Sequence, residues 1–321
     1  MKRVLFLVNH DVVIYNFRRE LVEELLKEGC EVIISSPYGE RIDLLKDLGC
    51  KYIETKLDRH GTNPITEIKL LFYYMELIKA VKPDIILSYT IKPNLYGALA
   101  AAKCKVPILV NITGLGSAVE NPGCLQKAMI TAYKIAFQNV KKIFVQNEEN
   151  QHFFVQHHIS EDKLKLLPGS GVNLQQFHVL DYPEGENVEF VFISRIMKEK
   201  GIITYHGLIM DIRDVLQYTH CTVHPTYYPE GISNVLLESA ASGRPIITTD
   251  RSGCREVVDD GVNGYMVPQK DSKALIQAVE KFLKLSNKER FKMGLAARAK
   301  VEREFDRKVV VEAYMKEVNH E

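Results

Sequence analysis

The chain has 321 residues, 46% of them hydrophobic and 26% charged, with a formal net charge of +1. That length suits two domains of ordinary size, and that composition suits folded domains with real cores rather than a disordered or fibrous chain. The charge balance gives no reason to expect nucleic acid as a partner. No apolar run approaches the length of a membrane span. The six cysteines are scattered, with no Cys-x-x-Cys pair, and read as reduced thiols of a cytoplasmic protein.

Residues 1–8 form too short an apolar run for a signal peptide and read as a first buried strand. Short apolar runs at 4–8, 31–35, 51–54, 84–88, 107–111, 142–145 and 163–167 predict strands. Helical periodicity lies near 17–28, 40–48, 65–81, 93–103, 124–138 and 148–157. Such alternation predicts a parallel, doubly wound sheet with ligands at the carboxyl ends of its strands. The Pro- and Gly-containing stretches 168–173 and 178–187 read as an interdomain linker. Alternation then resumes, with strands at 188–193, 222–225, 245–249 and 265–267 and helices at 211–219, 233–242, 271–285, 287–304 and 307–318. The expected domains are 1–175 and 186–304, with a terminal helix over 305–321 packing back onto the first.

Glu230 and Glu238 stand with seven residues between them, one before a predicted helix and one about a turn inside it. Gly231, Ile232, Ser233 and Asn234 form the helix entrance. A helix N-terminus offers free N–H groups and a positive dipole end, and carboxylates there accept hydrogen bonds from sugar or ribose hydroxyls. Acidic residues at a helix start are also ordinary capping chemistry. Arg195 and Lys200 follow the first strand of the second half, where two cations suit a diphosphate. Thr113 and Gly114 follow a predicted strand, and small residues there let a backbone approach a sugar or phosphate. Neither Gly114-Leu115-Gly116 nor Gly169-Ser170-Gly171 completes a dinucleotide fingerprint, and no Walker A pattern occurs, which argues against a nicotinamide enzyme or an NTPase. His220 and His224 sit on a strand-like run and would not share a helix face, which argues against zinc. His10, after the first strand, is placed where a ligand crevice would lie. The segments 69–75 and 127–142 mix apolar residues with lysines, as either Rossmann helices or membrane-surface helices do.

The order of these segments resembles glycosyltransferase family 4. The stretch from Asp211 to Leu216, then His224-Pro225-Thr226, then Glu230 to Glu238, Gly243 to Asp250, Gly253 to Val258 and Gly261 to Gly264 is similar to that family's C-terminal run. Tyr15 to Arg18, Thr90 to Asn94, Asn111 to Gly116 and Gln146 to Asn150 resemble its bacterial branch that builds surface polysaccharides and lipid-linked oligosaccharides. The resemblance covers nearly the whole chain. It implies the α/β GT-B fold, two Rossmann-like domains facing a cleft. It implies a retaining enzyme that moves a hexose-type sugar from a UDP-sugar to a saccharide or polyprenyl-diphosphate-linked acceptor. Arg195 and Lys200 would hold the leaving diphosphate, Glu230 the donor sugar and Glu238 the ribose, with Gly231, Ile232, Ser233 and Asn234 completing the donor segment. His10, Asn16, Thr113 and Gly114 would lie on the acceptor side. No cofactor and no metal are expected, since the two cations neutralise the phosphates and no Asp-x-Asp motif occurs. Peripheral contact with the inner face of the plasma membrane is an accompanying expectation.

The chain departs from that pattern after Gly201, where Ile202-Ile203-Thr204 follows almost at once. In the family a helix, a strand and another helix intervene, roughly 40–60 residues by ordinary element lengths. Either the second domain is truncated near 201–203, with a weakened donor site, or this sequence lacks a stretch that a longer protein has. Two alternatives follow: a non-catalytic relative within a polysaccharide assembly complex, or a UDP-sugar epimerase of similar fold.

Overall fold

The computed structural model describes residues 1–55, 64–116, 119, 122–185, 187–193, 209, 211–228 and 231–320. It divides into two compact units, Met1–Ser170 with Val310–Glu321, and Gly171–Val309.

Unit 1 holds seven parallel strands in the order β3-β2-β1-β4-β5-β6-β7. They are β1 (Arg3–Leu7), β2 (Glu31–Ser36), β3 (Lys51–Glu54), β4 (Ile85–Tyr89), β5 (Ile108–Ile112), β6 (Lys142–Val145) and β7 (Leu164–Leu166). Side chains alternate across the sheet, as pleating requires. Leu5 and Leu7 of β1 enter one core with α4 (Pro64–Val81), α5 (Ile91–Cys104), α6 (Cys124–Ala136) and α7 (Glu148–Gln156). Val4 and Phe6 enter the other with α1 (Asp11–Phe17), α2 (Arg19–Lys27), α3 (Arg41–Asp47) and α12 (Arg307–Asn319). Burial on both faces is why these strands read as apolar runs.

The periodicity over 17–28 corresponds to α2, and a further helix, α1, precedes it unpredicted. Arg18 breaks them at φ −138° and ψ 10°. Its guanidinium lies over Tyr89 at 5.1 Å and Tyr314 at 5.8 Å. Tyr314, on α12, also packs on Phe144 at 4.5 Å and accepts a hydrogen bond from Asn111 Nδ2 at 2.7 Å.

Among its described residues unit 2 has four parallel strands in the order β11-β10-β9-β8, with β8 (Phe190–Val191), β9 (Cys221–His224), β10 (Ile246–Thr249) and β11 (Gly264–Val267). Its helices are α8 (Arg213–Leu216), α9 (Asn234–Ala241), α10 (Ser272–Leu283) and α11 (Asn287–Glu304). The strand expected at 188–193 shrinks to two residues at the sheet edge, and the helix expected at 211–219 to one turn. Arg244 is fully buried, and among the described residues its hydrogen-bond partners are carbonyls, not carboxylates. It donates to the carbonyls of Leu216 at 2.8 Å and Asp181 at 2.7 Å and stacks on Tyr182 at 5.4 Å. Burial pulls its guanidinium down to about 10.

The stretch 168–173 holds the boundary between the two units, between Ser170 and Gly171, and its second half is packed in place. Val172 is fully buried and bridges Asp306, and its N–H donates to Phe305 O at 2.9 Å. Gly171, at φ +66°, leaves space where a Cβ would lie 2.5 Å from Arg307 Cα. Here glycine permits a close approach of two backbones.

Candidate functional site

The site is built where β9 passes into α9. Thr222 on β9 donates to Ser239 Oγ at 2.9 Å, and Ser239 donates to Val235 O at 2.8 Å, so a buried hydroxyl chain fixes α9 on the sheet. Thr248 on β10 donates to His224 O at 2.8 Å, and the Thr249 hydroxyl donates to Thr226 O. These bonds tie the carboxyl ends of β9 and β10 together. Ser233 N–H donates to Gly253 O at 2.8 Å, which anchors the helix entrance to the loop after β10. Ile232 and Ser233 are 5% and 4% exposed, and Gly231 is buried beside them. Ser233 is the N-cap, and its side chain makes no cap bond. The first N–H groups of α9 therefore keep their capacity for another acceptor at the strand ends.

Asn234 and Glu238 lie four residues apart on α9, on one face of the helix. Asn234 Oδ1 is buried with no hydrogen-bond partner among the described residues. Burial pushes the Glu238 carboxyl up to about 7. Arg307 opposes that shift and Asp211 adds to it. Asp211 is itself held below the usual carboxylate range by its hydrogen bonds from the Arg213 side chain. Two oxygen acceptors thus lie one turn apart, and for Asn234 Oδ1 the described residues supply no donor. Neighbouring hydroxyls of a sugar are such donors.

Arg195, Lys200 and Glu230 lie outside the described residues. Arg307, which the sequence reading missed, reaches Glu238's surroundings because 171–172 pair with 305–307. Local motif spacing carries no signal for that long-range contact.

In unit 1, His10 and Thr113-Gly114 follow the carboxyl ends of β1 and β5, which flank β4. His10 caps α1, accepting from Val12 N at 3.2 Å through Nδ1, which lies 2.5 Å from Asp11 Oδ1. Asn16 is exposed on α1. Gly114 adopts φ 146°. Beneath these residues runs a buried polar network: Ser88 donates to Asn94 Oδ1 at 2.8 Å, and Asn94 Nδ2 to Asn111 O at 2.8 Å. Gln146 Nε2 donates to Asn111 Oδ1 at 3.2 Å. Among the described residues no group of three or more His, Cys, Asp or Glu is placed to hold a metal ion.

A family model described as glycosyl transferases group 1 matches residues 178–285, and one described as glycosyl transferase 4-like matches residues 3–147. The chain belongs to the family 4-like glycosyltransferases. This glycosyltransferase is 26% identical, over 371 residues, to the N,N'-diacetylbacillosaminyl-diphospho-undecaprenol alpha-1,3-N-acetylgalactosaminyltransferase of Campylobacter jejuni, covering 98% of this chain and 97% of the relative. It is 24% identical to the capsular polysaccharide biosynthesis glycosyltransferase CapM of Staphylococcus aureus, covering 92% and 91%. Its fold matches the Anabaena protein HepE, solved with UDP and glucose, at a TM-score of 0.79 and 14% identity, covering 98% of this chain and 99% of that one. The fold is that of the GT-B glycosyltransferases. The alignment with the Campylobacter relative is longer than this chain of 321 residues, so parts of that relative have no counterpart here.

Proposed function

We propose that this glycosyltransferase moves a hexose-type sugar, with retention, from a UDP-sugar to a saccharide carried on a polyprenyl diphosphate during surface polysaccharide assembly. The observation that carries the reading is the pair of buried acceptors on α9, Asn234 Oδ1 and the Glu238 carboxyl. A diol such as the ribose of UDP donates to both at once. Glu238 then takes the ribose and Glu230 the transferred sugar. Arg195 and Lys200 stabilise charge on the departing diphosphate, the electrostatic contribution that usually dominates such transfers. No metal takes part in this reading. The relative named for a diphospho-undecaprenol acceptor supports the lipid-linked substrate class.

Peripheral membrane contact belongs to the same proposal. On the first half of α4, Ile65, Ile68 and Phe72 are 65%, 55% and 58% exposed. On α6, Leu125 and Ile135 are exposed, and the only charged residues from 121 to 147 are Lys127, Lys134, Lys141 and Lys142. Exposed apolar groups among cations suit an anionic lipid surface.

The decisive experiment incubates the chain with UDP-N-acetylgalactosamine or UDP-glucose and a polyprenyl-diphosphate saccharide, with product read by mass spectrometry. Sugar transfer that Glu230→Gln abolishes supports the reading. A second reading, a non-catalytic relative, is favoured by the parts of the Campylobacter relative that have no counterpart here. It predicts no transfer by either protein.

A further inference from the structure

Tyr227 and Tyr228 play no part in the site described above and do not belong to the hydrophobic cores of unit 2. Each is about two-fifths exposed, at 41% and 42%, yet both are held in place. Their rings stack with centroids 4.6 Å apart and planes 26° apart, and their hydroxyls are 3.4 Å apart. The Lys270 ammonium lies over the Tyr227 ring at 4.9 Å. Tyr228 N–H donates to Thr226 Oγ1 at 3.3 Å, and Thr226 O accepts from Thr249.

The pair is thus presented by three neighbouring loops. Tyr227 and Tyr228 follow β9, Thr249 ends β10, and Lys270 follows β11. The loops after β10 and β11 are joined by Gln269 Nε2, which donates to Asp250 O at 2.8 Å. All three lie at the carboxyl edge of a parallel sheet, the edge at which such sheets bind ligands. The same loop after β9 leads into Ile232, Ser233 and α9.

Two large rings held rigid at the surface gain little from burial. Their π-faces carry partial negative charge, which here already attracts an ammonium. A pyranose offers the matching surface, one face lined with slightly positive C–H groups and a rim of hydroxyls that the tyrosine hydroxyls can meet. We propose that Tyr227 and Tyr228 form a stacking platform for a pyranose ring of the substrate, separate from the ribose acceptors Asn234 and Glu238. This rests on the transferase reading. The ring comes either from the donor sugar or from the acceptor saccharide.

The test compares wild type with Tyr227→Ala, Tyr228→Ala, Tyr228→Leu and Tyr228→Phe. Calorimetry gives affinities for UDP, UDP-glucose and UDP-N-acetylgalactosamine, and kinetics give KM for the acceptor. Aromatic stacking of this size corresponds to roughly a 3- to 10-fold effect. The Ala and Leu variants should leave UDP affinity unchanged. They should lose that factor either in the UDP-sugar affinity, marking the donor ring, or in the acceptor KM, marking the acceptor ring. Tyr228→Phe should keep most of it, and Tyr228→Leu preserves bulk where alanine costs folding. A parallel loss of UDP affinity overturns the platform, as does no change in any of these. A wild-type chain that binds neither UDP nor a UDP-sugar contradicts the transferase reading instead, and the platform with it.

Discussion

Glu238→Gln removes a carboxyl that burial has pushed from 4.5 up to about 7. At 1.36 kcal/mol per unit, that shift is on the order of 3 kcal/mol of differential stability. The raised value fixes the sign. Between pH 4.5 and 7 the folded chain keeps a proton that the unfolded chain releases. Stability therefore falls as pH rises through that window, and levels off above it. Glutamine has no such slope. Wild type and variant should melt alike near pH 5, and the variant should melt higher at pH 8, by on the order of 10 °C for a unit of this size. Donor binding has the opposite sign, because ribose hydroxyls donate to the ionised carboxylate. Wild-type UDP affinity, taken relative to the variant at each pH, should rise toward pH 7 and level above it. At pH 8 the variant should bind UDP roughly 10-fold more weakly, as expected for losing a hydrogen bond to a charged group. Melting curves and calorimetric titrations from pH 5.5 to 8.5 measure both. A constant melting difference across that range, or a wild-type-to-variant affinity ratio that ignores pH, would refute the reasoning.

Other outcomes follow from packing and charge. Gly294→Ala places a Cβ 2.1 Å from Gly243 O, so α11 must shift away from the turn between α9 and β10. A loss of about 1–3 kcal/mol in urea unfolding is expected. Arg244→Lys gives up the planar fork that serves the Leu216 and Asp181 carbonyls. It should destabilise unit 2 by about 2 kcal/mol, because buried carbonyls lose their donors. On the proposed chemistry, sugar transfer should persist in excess EDTA, and a loss restored by a divalent cation would contradict the roles given to Arg195 and Lys200.

Much of the architecture was legible because parallel strands buried on both faces read as apolar runs, as β4 and β5 do. Helix α1 was not legible. Its Val12, Val13 and Ile14 are β-branched and poor helix formers, and the His10 cap and tertiary packing override that preference. Gly169-Ser170-Gly171 does fall where the units divide, but composition gave no sign that Gly171 packs its backbone against Arg307. Helix α9 and its entrance from Gly231 to Glu238 were legible, since a helix entrance with carboxylates has a local signature. The raised Glu238 carboxyl was not, because it depends on burial, which Arg307, arriving from far along the chain, only partly offsets. Tyr227 and Tyr228 escaped notice for a similar reason. Two tyrosines in a loop gain meaning only once Lys270 and Thr226 hold them at the strand ends.

The central claim is that unit 2 binds a uridine-diphosphate donor. A thermal-shift titration of the purified chain with UDP, against ADP as control, tests it most directly. A ligand that binds only the folded state stabilises it by about 2.7 kcal/mol at a hundredfold excess over Kd. The account predicts a saturable rise in Tm with UDP and a much smaller one with ADP. A cooperative melting transition that neither nucleotide moves would contradict it.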